Sequence, residues 1–407
     1  MSAVQTPANV DGLDFLRSGA SAMFNGRQLA TLGSYEPPAQ PGSGAGIPPS
    51  LYVILKATRL CNLRCSYCHA WREGPGQVLS FEHLVDVIAQ AMRMPGIRRL
   101  YIVWHGGETT LLAPRYFQRA IWLQEHFRID DRKVGHSVQT NGTRINGAWA
   151  RFFRDAGFSV GVSLDVDAEN HDRTRRFAGG EGSHAAAIAG LRQLEAHRVP
   201  HGVLAVVDAA VIRRGADDLL EAFCRQNIRN IGLLNALPAN DTGHDQPYLE
   251  WSDYVDFLTE VFKAWRSRFS DRIQVRELDS LFNIIQGSNS RLCIFQGGCM
   301  GQYLTIEPDG RVSACDKYVG DETHEFGDLR KNTLWEILNS SPGLERVRRS
   351  SEALIQPFER CENFQYCRGG CPHDARLNAR QGRAGECCGL GPLIDVMKAS
   401  ISKETSS

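Results

Sequence analysis

Short apolar runs alternate with longer stretches whose apolar residues recur every three or four positions, from residue 51 to about 240. The short runs lie at 51–57, 100–104, 135–139, 160–164, 201–207 and 230–234 and predict β-strands. The stretches at 81–92, 115–126, 147–156, 185–197 and 216–225 carry one apolar face and predict helices between them. Strand-then-helix repetition predicts a parallel sheet with helices outside. Six such repeats fall two short of a closed eight-fold barrel, so the expected fold is α/β, an open (β/α)6 partial barrel over 51–250. In that architecture chemistry sits on loops at the C-terminal strand ends.

Residues 1–50 hold an amphipathic piece at 13–24 and then S-Y-E-P-P-A-Q-P-G-S-G-A-G-I-P-P-S, a Pro/Gly/Ser linker. They predict an arm that is extended on the main body or partly disordered. Residues 251–289 read as a helical bridge, with helices at 254–269 and 278–286. Residues 290–407 are short of apolar sequence beyond a closing helix at 392–401, so this part is expected to lean on bound metal for its fold.

Composition adds exclusions. With 42% hydrophobic and 23% charged residues, the 407-residue chain reads as soluble and globular, long enough for two domains. Zero formal net charge gives no case for a nucleic-acid partner. No apolar run reaches spanning length, so no membrane partner is expected. The opening M-S-A-V-Q-T-P-A-N-V-D lacks a secretory pattern, and a cytoplasmic location is expected.

The twelve cysteines change the picture: three lie at 61–68, eight between 293 and 388, and Cys224 stands alone. Such clustering fits metal ligation in a reducing compartment better than a disulfide framework. Cys224 sits in a helical stretch and reads as a buried small hydrophobe. The first cluster, C-N-L-R-C-S-Y-C, follows the first predicted strand and puts Cys61, Cys65 and Cys68 on one tight loop. Three thiolates are one fewer than a closed site needs, and a 4Fe–4S cluster held this way keeps one iron open. The competing reading is zinc completed by a distant His or Cys, although zinc knuckles usually pair their ligands as C-x2-C. The second strand ends W-H-G-G-E at 104–108, where two glycines let a ligand approach the backbone or merely turn the chain. The third ends Q-T-N-G at 139–142 and the fourth S-L-D at 163–165, polar groups able to grip a nucleoside cofactor or to serve as turn and helix cap.

The cysteine loop, with Tyr67 before its third cysteine, resembles that of the radical S-adenosylmethionine (SAM) superfamily. The resemblance implies that Cys61, Cys65 and Cys68 hold a 4Fe–4S cluster whose open iron binds SAM, and that the reduced cluster splits SAM to a 5′-deoxyadenosyl radical. It implies SAM contacts from Tyr67, from Gly106, Gly107 and Glu108, and from Asn141 and Ser163.

The C-terminal cysteines resemble the SPASM domain, the auxiliary-cluster module of peptide-modifying radical SAM enzymes. That match implies one 4Fe–4S cluster on Cys293, Cys299, Cys315 and Cys371, and a second on Cys361, Cys367 and one of Cys387 or Cys388. The family pattern wants a cysteine at 358, where this chain has Phe358. The second cluster would then use both adjacent cysteines, take a ligand such as His373 or Asp374, stay open, or be absent; one or two zinc sites are the competing reading of the region. The segment Cys315-Asp316-Lys317-Tyr318 resembles the C-D-x-Y of anaerobic sulfatase-maturing enzymes and makes Asp316 the candidate general base, with a pKa raised by a dry site. The other reading of Asp316 is a surface aspartate in a turn.

The expected activity is that of a radical SAM/SPASM peptide maturase. It would abstract hydrogen from a ribosomally synthesised precursor peptide and close an intramolecular cross-link, a carbon–carbon cyclophane or a thioether. Partners would be that peptide and an external electron donor such as a flavodoxin or ferredoxin. Formylglycine formation on a sulfatase is the alternative, supported by Asp316 and opposed by Phe358 and by C-H-A-W at 68–71. A zinc-stabilised, non-catalytic scaffold is the alternative from another class.

Overall fold

In the computed structural model, residues 13–42, 47–68, 76–237, 248–289, 292–318, 320–380, 385 and 388–405 are described. The six expected strands form in chain order: β1 Ser50–Thr58, β2 Arg99–Gly106, β3 Lys133–Thr140, β4 Ser159–Ser163, β5 His201–Val207 and β6 Asn230–Asn235. Each pairs in parallel with the next. The helices between them start where capping chemistry allows. Ser80 accepts from the His83 amide to open Phe81–Arg93, and the Asn146 side chain accepts from Ala148 and Trp149 to open Gly147–Asp155. Pro114 occupies the first turn of Pro114–His126. Their apolar faces bury Trp104, Phe117, Phe153 and Phe158 almost completely, each contributing roughly 1.5–3 kcal/mol or more.

The sheet runs further than the hydrophobic pattern indicates. A two-residue strand, β7 Gln274–Val275, adds in parallel to β6. On the other edge β8 Tyr303–Ile306 pairs in parallel with β1, followed by antiparallel β9 Arg311–Ser313 and β10 Glu325–Asp328. The order is β10-β9-β8-β1-β2-β3-β4-β5-β6-β7. The C-terminal region is thus stitched to the first barrel strand, and its apolar residues, such as Leu304, Ile306, Leu338 and Leu344, join the barrel's buried cluster. It shares a core that the sequence expectation did not grant it.

Among the described residues of the arm, Asp14–Arg17, Ala20–Met23 and Gly26–Ser34 are helical, where an extended or partly disordered arm was expected. A capping box between Asn25 and Gln28 starts the helix Gly26–Ser34, which runs into the expected linker. Phe24 is buried edge-on to Trp122, ring centroids 5.1 Å apart, and the Trp122 indole donates to Ser18 O at 3.0 Å. The bridge forms as Trp251–Ala264 and Arg276–Ile285, with β7 between. The closing helix, Gly391–Thr405, packs against both. Among the described residues no helix is long and apolar enough to cross a membrane.

Candidate active site

The cysteine loop leaves the end of β1 and is anchored to residues 174–178, beyond β4. Arg64 and Ser66 amides donate to Arg176 and Thr174 carbonyls at 2.8 and 2.9 Å, and the Ala178 amide donates to Asn62 O at 3.1 Å. Leu63 is fully buried beneath it. Tyr67 donates from its hydroxyl to Asp165 at 2.6 Å. Arg175 donates to the same carboxylate at 2.9 Å and lies 5.1 Å from the Tyr67 ring centre. Burial would raise the Asp165 carboxyl, but Arg175 and the Tyr67 hydroxyl hold it below its ordinary value. Burial pushes the Cys61 thiol up to about 11 and the Cys65 thiol up to about 12, and neighbouring loop thiols add to both. Buried thiols whose charged forms would repel one another are a donor set that ionises on binding a cationic cluster.

The two glycines of W-H-G-G-E serve the protein's own backbone. Gly107 and Glu108 amides donate to Thr58 and Leu60 carbonyls at 2.7 and 2.6 Å. A Cβ on Gly107 would collide with the Leu60 and Arg59 carbonyls, and Gly106 has φ +129°. The close approach is by the chain entering the cysteine loop. Glu108 is fully buried. Its carboxylate accepts from the Thr110 amide at 3.0 Å, the Thr110 and Thr140 hydroxyls at 2.5 and 2.6 Å, and the Asn141 amide at 2.7 Å. It therefore clamps the ends of β2 and β3. Asn141 donates to Asn62 Oδ1 at 2.9 Å and sits 4.0 Å from Cys61 Sγ. Ser163 accepts from Gln139 Nε2 at 2.8 Å.

Asp316 reaches this mouth from the C-terminal region. It forms an ion pair with Lys56 and lies 3.6 Å from His105 Nε2. Lys56 and His105 are register partners on β1 and β2. His105 Nδ1 accepts from the Gly106 amide at 2.8 Å, which leaves Nε2 as the protonated nitrogen facing the carboxylate. The expectation of a raised Asp316 pKa is corrected: burial alone would raise it, but the adjacent Lys56 ammonium, then His105, hold it well below the usual carboxylate range. Burial, opposed by Asp316, pushes His105 down to about 4. Sequence reading missed Lys56, although one charge inside L-Y-V-I-L-K-A was its signal, and the side chain is 1% exposed. It also missed the buried Arg59–Glu307 pair, 2.5 Å apart, which ties the base of the cysteine loop to the end of β8.

Burial, followed by Cys371, Cys293 and Cys299, raises the Cys315 thiol well above its ordinary value. The run Arg368-Gly369-Gly370, with φ 52°, 81° and 74°, winds left-handed from Cys367 to Cys371. Cys367 and Cys388 sulfurs are 3.4 Å apart. Phe358 is buried, and its carbonyl accepts from the Cys361 amide at 2.9 Å. Cys387 lies outside the described residues, as do residues 69–71. His373 and Asp374, considered as substitute ligands of the second cluster, are committed elsewhere. Asp374 accepts from Lys317 at 2.7 and 2.8 Å beside Cys371, and His373 Nδ1 is 3.2 Å from Asp374. Cys224 is half-buried in Ala216–Arg225 against the main core. Among the described residues no three His, Cys, Asp or Glu side chains are placed to hold one metal ion.

Residues 55–219 match the Radical SAM superfamily and residues 293–372 the SPASM iron–sulfur cluster-binding domain. A cysteine-type anaerobic sulfatase-maturating enzyme of Clostridium novyi (strain NT) is 31% identical over 343 residues, 82% of this chain and 91% of that protein. A serine-type enzyme of Klebsiella aerogenes is 30% identical over 339 residues, 82% of each. The solved structure of native anSMEcpe with bound AdoMet and Cp18Cys peptide shares 25% identity at a TM-score of 0.73, covering 86% of this chain and 96% of that one. These matches span both thiol groups and set aside the non-catalytic scaffold. The chain belongs to the radical SAM/SPASM peptide maturase family, enzymes that use SAM and iron–sulfur clusters to act on a residue of a peptide or protein.

Proposed function

We propose that the enzyme cross-links a precursor peptide within itself, joining a carbon freed of its hydrogen to a second residue, first an aromatic ring carbon and next a cysteine sulfur. A 4Fe–4S cluster on Cys61, Cys65 and Cys68, with SAM on its open iron, supplies the radical that takes the hydrogen. Tyr67, Asn141 and the Gly106–Glu108 backbone are the groups that would position SAM. Reducing electrons would come from a flavodoxin- or ferredoxin-type donor.

The observation that carries the reading is the Lys56–Asp316–His105 set at the barrel mouth, in which Lys56 is buried. Its carboxylate is pinned in the ionised form and is a weak base. A ring that has gained a carbon substituent and lost an electron holds a strongly acidic proton, and a weak base suffices to remove it. The second reading, formylglycine formation on a sulfatase, is favoured by the sulfatase-maturating relatives at 31% and 30% identity.

Reconstituted enzyme, SAM and dithionite would be incubated with short peptides encoded beside the gene and with Cys- and Ser-containing sulfatase peptides. A cross-link removes two hydrogens, leaves no hydrazide-reactive carbonyl and suppresses fragmentation within the ring. A hydrazide-reactive product from the sulfatase peptides, with nothing from the precursor peptides, would instead establish the second reading. Asp316→Asn should slow product formation by roughly 10²- to 10⁴-fold while 5′-deoxyadenosine still forms. Equal retention of both rates would remove Asp316 from the mechanism.

A further inference from the structure

The turn Asp316–Tyr318 presents consecutive side chains to two different groups. Asp316 meets Lys56 and His105 at the barrel mouth, while Lys317 turns to the C-terminal thiols. Lys317 Nζ lies 3.7 Å from Cys371 Sγ and 2.7 and 2.8 Å from the two carboxylate oxygens of Asp374. Asp374 is itself buried, with His373 as a further neighbour. A part-exposed cation is thereby brought to a sulfur and held there by a buried anion.

We propose that Lys317 raises the reduction potential of the auxiliary cluster on Cys293, Cys299, Cys315 and Cys371 and so favours its reduced form. The inference rests on those four cysteines being its ligands. Four thiolates already give the cluster a negative environment, and reduction adds one more negative charge. A neighbouring ammonium that also donates an N–H···S hydrogen bond stabilises the reduced state more than the oxidised one and raises the potential. Asp374 orients that ammonium and offsets part of its charge. In a balanced step the substrate-derived radical would give one proton to the Asp316 carboxylate and one electron to an oxidised cluster bound there, with the abstracted hydrogen leaving as part of 5′-deoxyadenosine. Asp316 would hold the proton, and Lys317 would stand beside the group that takes the electron. Lys317 acts through the thiolates and is a positioning residue, not a catalytic one.

The test is an EPR-monitored redox titration of the reconstituted full-length enzyme, in wild type and in Lys317→Met, Lys317→Arg and Asp374→Asn. Lys317→Met should shift the auxiliary redox equilibrium at least tenfold toward the oxidised form, ~59 mV for one electron. Asp374→Asn should shift it the opposite way, and Lys317→Arg should stay near wild type. The yield of product per 5′-deoxyadenosine should fall in Lys317→Met with SAM cleavage retained. Midpoints that stay within twofold of wild type in both Lys317→Met and Asp374→Asn would overturn the proposal, as would shifts of the same sign. If Lys317→Met assembles no auxiliary cluster, the sign of Asp374→Asn and the rescue by Lys317→Arg decide. A wild-type enzyme with the SAM-binding cluster but no auxiliary signal would overturn the ligand assignment itself, a different outcome from an unshifted midpoint.

Discussion

The cysteine loop at 61–68 stands on the end of a central strand and is braced by several protein hydrogen bonds, whereas among the described residues the cysteines from 293 onward sit on short turns beside short strands or at the ends of short helices. Around the first, Glu108 clamps two strand ends, the Asp165–Arg175 pair locks Tyr67, and backbone hydrogen bonds fix the loop to residues 174–178. Around the second, Cys293 and Asp316 lie in 3₁₀ turns and the path from Cys367 to Cys371 winds through three left-handed residues. The first site is held by a dense set of protein hydrogen bonds. The second shares the barrel's apolar core at β8 and β9, and we expect its thiols to lean on metal for their arrangement.

The sharpest break in that comparison comes from removing one thiolate at each place. Cys65→Ala should abolish reductive SAM cleavage while leaving the unfolding transition nearly unchanged, because the loop is held by hydrogen bonds that do not involve the thiol. A mutant forming 5′-deoxyadenosine at the normal rate would refute the ligand assignment. Cys315→Ala should instead loosen the C-terminal region, read as faster proteolysis there, with SAM cleavage retained.

Glu108→Ala separates bracing from cosubstrate binding. If the carboxylate clamps β2 to β3, its loss strands several buried donors and costs on the order of 3 kcal/mol of stability. If its main work is to hold the amino group of SAM, denaturant midpoints will hold and only the KM for SAM will rise.

A smaller effect lies within the barrel alone. His136 is buried, accepting from Trp104 Nε1 at 3.2 Å and lying 3.0 Å from Gln124 Oε1, and burial pushes it down to about 3. The unfolded chain protonates this histidine near pH 6.5, whereas the folded chain keeps it neutral. Below that pH the unfolded state therefore binds more protons, and stability falls by about 1.4 kcal/mol per unit for this group until about pH 3. Burial also depresses His105, His171 and His324 to about 4, so His136→Phe should flatten the slope between pH 7.5 and 5.5 by one group's share. An unaltered slope would mean that His136 titrates normally in the folded protein.

The same contrast explains what could be read from the chain. The repeats from 51 to 240 were legible because strand and helix periods are local, and strand β5 at His201–Val207 and helix Ala216–Arg225 were placed to the residue. β7 was not, because two residues carry no period. The pairing of β8 with β1 joins segments some 250 residues apart, which no local pattern records. Helix Gly26–Ser34 was hidden by the linker that follows it, although N-x-x-Q at 25–28 was its cap. At the site, the thiols were legible from spacing, but the partners that set the charge of Asp316 were not, since Lys56 and His105 meet it only through the sheet.

Phe358→Cys gives the mildest perturbation of SAM chemistry and asks most directly whether metal orders the second region. Phe358 is buried one turn before Cys361, at the position where the SPASM pattern would supply a ligand. Cys367 and Cys388 already converge, and Cys361 follows Phe358 in the same turn. A thiol at 358 would add a ligand to that group while opening a void where the ring was. If metal supplies the order there, the variant should bind the second cluster more tightly and lose iron to a chelator more slowly. The barrel's own bracing predicts SAM cleavage within about twofold of wild type, a change no larger than a surface substitution makes. Loss of the SAM-binding cluster in this variant would mean that the two sites are not independently organised, and the contrast between a protein-built loop and a metal-built one would fail.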